Sequence, residues 1–176
     1  RPTILLGVHT CDLHAIQLLD SALLGGYTDQ HYKARRDATL IVSIECLTPC
    51  SETSFCKSMG TLSITEGFDL HLTPVGDEYA VDVGTERGAA LLEGVEELRD
   101  ASDADYERLN RTLSEKWPRF PYRLEADVND LSSLLSVSYD SDLWDELGER
   151  CLGCGSCTMV CPTCYCFNVV DEVDFT

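Results

Sequence analysis

The sequence predicts an α/β fold, a mixed sheet with helices, followed by a helical arm and a short, cysteine-dense loop. Three observations carry that prediction. The front of the 176-residue chain alternates β-branched runs with helical spacing. Its middle is polar and interrupted by Pro118 and Pro121. Six of its ten cysteines fall between positions 151 and 166. The organisation read from these shifts is an α/β domain over residues 1–100, a helical connecting region over 101–148 and a cysteine-rich segment over 149–176.

Taken in order, Thr3 to Val8 reads as a strand and His9-Thr10-Cys11 as a turn. A helix begins near Asp12, with Leu13, Ile16, Leu18, Leu19 and Leu23 largely on one side and Gly25-Gly26 as its stop. A polar stretch tinged basic by Lys33, Arg35 and Arg36 leads to a second strand, Ala38 to Ile44, and directly to a cysteine-bearing loop. Leu70 to Val75 and Tyr79 to Val83 read as a hairpin across Gly76-Asp77-Glu78. Thr85 to Leu98 returns to helical spacing, and Ser102 to Gly148 is mostly helical.

Composition narrows the function classes. Hydrophobic residues make up 44% of the chain, enough for a globular core. Thirty-one acidic residues against thirteen basic ones give a net charge of −18 and a pI near 4.3, which repels nucleic-acid phosphates and anionic lipid surfaces. The longest apolar runs, such as Ile4 to Val8, fall far short of the roughly 20 residues a membrane helix needs. Arg1 in place of a methionine and the abrupt end at Thr176 suggest a segment of a longer polypeptide.

The chemistry concentrates in Cys151-Leu-Gly-Cys154-Gly-Ser-Cys157-Thr-Met-Val-Cys161-Pro162. This C-x2-C-x2-C-x3-C-P run is the ferredoxin-like spacing for a [4Fe–4S] cluster. Its two-residue gaps let one tight loop offer three thiolates to three corners of a cubane. Gly153 and Gly155 permit the backbone angles that bring amides close to sulfur. A four-cysteine zinc site more often pairs two C-x2-C hooks across a long spacer, and disulfide scaffolds are smaller and secreted. In two-cluster ferredoxins the fourth cysteine serves the other cluster, so Cys161 either closes this cluster or reaches a neighbouring one. Cys164 and Cys166 remain as structural thiols or further ligands.

Four other cysteines, Cys11, Cys46, Cys50 and Cys56, border strand ends near the front. They suit either buried packing or a second metal, although C-x3-C-x5-C is not a recognised cluster spacing. His14 lies three residues after Cys11, on the same side of a helix, where capping or packing is its simplest role. His9, His31 and His71 carry no signal, and Asp12 and Asp20 read as caps or solvated carboxylates. No dinucleotide fingerprint, phosphate loop or nucleophile elbow is present.

Three patches in order then resemble a known family. Cys151 to Phe167 (CLGCGSCTMVCPTCYCF), the stretch from Gly7 to Ile16 with Asp20 (GVHTCDLHAI), and Cys46 to Gly60 (ending SFCKSMG) are similar to the iron–sulfur β subunits of group 3 [NiFe] hydrogenases, the sulfhydrogenases. They are equally similar to the A subunit of anaerobic sulfite reductase. His9-Thr10 stands where that family usually has Arg-Pro, and Ser54 where a cysteine is common. The resemblance implies a non-catalytic, cytoplasmic electron-transfer subunit. Cys151, Cys154, Cys157 and Cys161 would ligate at least one [4Fe–4S] cluster, and its partners would be a flavin subunit handling NAD(P)H and a hydrogenase or sulfite-reducing subunit. More distantly, the α/β part resembles flavin-binding F420 hydrogenase β subunits, which would make it an enzyme domain. A zinc-stabilised interaction module is the third reading.

Overall fold

A computed structural model describes residues 1–164. Its centre is a four-stranded sheet in the order β1-β2-β3-β4, formed by β1 (Thr3–His9), β2 (Thr39–Ile44), β3 (Leu70–Val75) and β4 (Glu78–Val83). β1 and β2 are parallel, β2 and β3 are parallel, and β3 and β4 form an antiparallel hairpin, so the sheet is mixed as expected. Gly76, at φ +69°, is the first of two loop residues in that hairpin and supplies the left-handed angle a tight reversal requires. Pro74 is tolerated in β3 because β2 pairs with that strand only as far as Leu72, leaving no ladder bond for its missing N–H to make.

The crossover from β1 to β2 contains two helices, α1 (Thr10–Leu24) and α2 (Gln30–Asp37). Helix α1 starts directly after the strand and stops at Gly25, and it lays Leu13 and Ile16 on Ile41, Val8, Phe68 and Ile64. Leu18 departs from the expected apolar side and is exposed. Helix α2 has no sequence counterpart in the reading above, because it has almost no apolar periodicity. Its order comes from caps and ion pairs instead. Asp29 accepts from the His31 and Tyr32 amides, and Lys33 pairs with Asp37 one turn on. Asp20 of α1 receives Tyr32 Oη at 2.7 Å and Arg36 Nε at 3.0 Å, binding the two helices together. Burial, then the Asp20 hydrogen bond, pushes the Tyr32 phenol up to about 12.

After the hairpin, α3 (Glu86–Leu92) is half the length its periodicity predicts. Gly94 at φ +83° follows its end, and the acidic run Glu93, Glu96, Glu97 sits at the wrong pole of a helix dipole. Thr85 caps α3 and ties it to β3 by donating to Asp69 Oδ1 at 2.6 Å.

The middle region is α4 (Asp103–Lys116), two short 3-10 turns (Trp117–Arg119 and Val128–Asp130), α5 (Leu131–Val137) and α6 (Asp142–Arg150), followed by α7 (Ser156–Val160). Its first half is more than a connection. Arg108 of α4 donates to the Val75 carbonyl, and Phe120 is fully buried. Beyond Phe120 the helices and the turn between α5 and α6 expose large apolar side chains, including Leu135, Val137, Tyr139 and Leu143.

Candidate metal centre

The cysteine loop is built from local geometry. Cys151 closes α6 through its amide to the Gly148 carbonyl. Gly153 (φ +63°) and Gly155 (φ +71°) both occupy the left-handed region, which glycine adopts without strain. The first of these turns aims the Gly153 amide at Cys151 Sγ, 3.4 Å away, the kind of N–H···S contact that tunes an iron–sulfur site. The second launches the single helical turn of α7, which carries Cys157 and ends at Cys161. The Ser156 hydroxyl, 3.2 Å from Cys154 Sγ, holds that thiol below its ordinary pKa, and Thr163 does the same for Cys161. Residues 151 to 161 are all exposed.

Four soft donors in this spacing, with amides free to face sulfur, fit an iron–sulfur cluster by the chemistry of the donor set. Among the described residues, no three histidine, cysteine, aspartate or glutamate side chains converge closely enough to hold a metal. Cys164 is half-buried, with its amide on the Cys161 carbonyl. Cys166 lies outside the described residues.

Two of the front cysteines, Cys11 and Cys46, follow the carboxyl ends of the parallel strands β1 and β2. His9 and Ile44 are register partners, and Cys11 and Cys46 each stand two residues beyond them. Burial, reinforced by Asp12, Cys56 and Cys46, pushes the Cys11 thiol up to about 11. Burial likewise raises Cys46 against the opposing influence of Thr10. Cys50 is exposed and Cys56 half-buried. His14 Nε2 lies 2.8 Å from the Ser63 carbonyl, a packing role that ties α1 to the loop after Cys56.

Beside Cys46 lies a group of residues the sequence did not single out. Glu45, His71 and Lys116 are all buried, and their polar atoms meet: Lys116 Nζ lies 2.8 Å from Glu45 Oε1, and His71 Nε2 lies 3.4 Å from Glu45 Oε2. Ser43 Oγ meets His71 Nδ1 at 2.8 Å, while Lys116 also donates to the Leu62 carbonyl and Ser63 Oγ. The Cys46 amide donates to Glu45. Burial alone would raise the Glu45 carboxyl, but hydrogen bonds from His71 and Lys116 more than offset it and leave the group below its ordinary range. The one available signal was a glutamate lodged between an apolar strand and a cysteine. Nothing local marks Lys116, 71 positions away.

The tail defines a class first. Residues 150–176 match the 4Fe-4S dicluster domain, so this end of the chain is an iron–sulfur unit and [4Fe–4S] is its cofactor. Over 169 residues, 96% of this chain, the sequence is 36% identical to sulfhydrogenase 2 subunit beta of Pyrococcus furiosus, and the match bears out the likeness carried by the three motif patches. The chain spans about half (49%) the length of that curated relative. No solved structure matches it. Among the described residues, no helix is long and apolar enough to cross a membrane.

Proposed function

We propose that residues 149–176 bind the cluster through Cys151, Cys154, Cys157 and Cys161, and that the α/β layer and helical region mount this unit within an oxidoreductase complex. One observation carries the reading: the C-x2-C-x2-C-x3-C-P loop, with Gly153 and Gly155 in left-handed conformation, inside a stretch that matches a 4Fe-4S domain. When bound, a [4Fe–4S] cluster supplies one-electron redox chemistry. The chain contributes thiolates kept accessible by Ser156 and Thr163, and an amide directed at Cys151. No substrate bond is made or broken by the protein in this reading.

The likeness to a sulfhydrogenase β subunit supports placement between a flavin subunit handling NAD(P)H and a hydrogenase or sulfite-reducing catalytic subunit, in a reducing cytoplasm. The exposed apolar side chains of α5, α6 and the loop, among them Leu152 and Met159, suit a segment that docks against other subunits. Iron, zinc and acid-labile sulfide per chain, measured on anaerobically prepared protein, test the reading. Iron and sulfide in equal amounts, about four or eight of each, support it; zinc without sulfide overturns it.

A further inference from the structure

We propose that the free edge and one face of β1 are covered by a segment of the same polypeptide lying outside residues 1–176, which adds a strand along Ile4–Leu6 and lays apolar side chains on Ile4 and Leu6. Among the described residues, strand β1 stands first in the sheet and pairs only with β2. Its Thr3 amide bonds the Ala38 carbonyl, so strand alternation turns the N–H and C=O groups of Ile4 and Leu6 toward the open side. Leu5, itself 41% exposed, is the register partner of Ile41, on which α1 packs Leu13. Ile4 and Leu6 partner Leu40 and Val42 on the opposite face. Val42 in that row is 6% exposed, yet Ile4 is 53% and Leu6 76% exposed. Cover therefore stops between two paired strands of one sheet face.

Parallel strand pairs are normally buried on both faces, and natural sheet edges are blunted by charge, proline or a bulge. The segment Thr3–His9 contains no proline and no lysine or carboxylate, and its bulge at Gly7 comes only after the apolar triplet. The occupant follows from two further facts. The relative is about twice as long as this chain, so a comparable length of polypeptide is available outside the aligned residues. A tethered segment meets the edge at high effective concentration. A second copy is disfavoured, because each chain carries a charge of −18 and three edge residues bury far less than the ~1,200 Å² of a stable interface.

Amide hydrogen exchange on the full-length, cluster-loaded polypeptide tests this. The peptide covering residues 3–8 should exchange about tenfold or more slowly than an open edge, approaching β2, at every protein concentration. Leu6→Lys should release that peptide together with one peptide from outside residues 1–176, while residues 70–83 stay unchanged. Fast exchange of residues 3–8 in the unsubstituted chain overturns the proposal. So does protection that disappears on dilution, which would assign the edge to a second copy, or protection that requires another subunit.

Discussion

The α/β layer and the cysteine loop are held together by opposite kinds of interaction. In the layer, Glu45, His71 and Lys116 join β2, β3 and the end of α4 across 71 positions of sequence. No buried side-chain polar atom among the described residues lacks a partner. In the loop, the bonds that shape the cysteines span at most four positions, as in Gly153 to Cys151, Ser156 to Cys154 and the Cys161 amide to the Cys157 carbonyl. In the first region distant groups satisfy one another. The second is specified residue by residue and presents its cysteines outward, which suits a site completed by a bound group.

The largest effect should come from cutting the local side of this contrast. Cys154→Ser should remove the iron, sulfide and visible absorption of one cluster, while amide exchange in the sheet remains unchanged. If iron content is the same as in the unsubstituted protein, Cys154 is not a ligand. Cys161→Ser sharpens the same point. Loss of the only cluster means that it closes this site, and loss of a different cluster means that it serves a neighbour.

Next in size, Lys116→Met strands Glu45 as a buried carboxylate and should cost about 3–5 kcal/mol in chemical denaturation. Adding Glu45→Gln should recover part of that loss. An additive double variant would show that the two charges do not interact in solution. Gly88→Ala should destabilise the layer by roughly 1–3 kcal/mol, because a Cβ there meets the backbone carbonyl of Asp69, just before β3. The cluster loop should keep its iron in this variant, since the two regions are built independently.

The smallest effect is on pH dependence. Burial holds the Cys11 thiol at about 11, above its ordinary 9.0, so the folded state retains a proton that the unfolded chain loses. This contribution to stability is full below pH 9 and is lost as pH rises toward 11. Cys11→Ala should flatten that alkaline decline. Glu45 acts at the other end. Its lowered carboxyl favours folding above its ordinary value, and that contribution fades as acid protonates it. In metal-free protein near pH 8, Cys154 should alkylate well before Cys11, and Ser156→Ala should narrow the gap.

Much of this was legible from sequence because it is local. The strands at Thr3, Thr39 and Leu70, the hairpin turn at Gly76 and the stop at Gly25 all follow from side-chain type and backbone freedom over a few residues. The cluster loop is the extreme case. Spacing alone singled out four cysteines as candidate ligands, and Gly153 and Gly155 take the left-handed conformation expected of its turns. Helix α2 escaped because it depends on the Asp29 cap and on Asp20 of a neighbouring helix, and α3 ran short because Gly94 outweighed apolar periodicity. Tertiary structure alone decided that Asp20 of α1 ties down α2 and that Lys116 enters the layer beside Cys46. Each is a long-range pairing, and burial and charge compensation between distant residues leave no periodic trace in the chain that carries them.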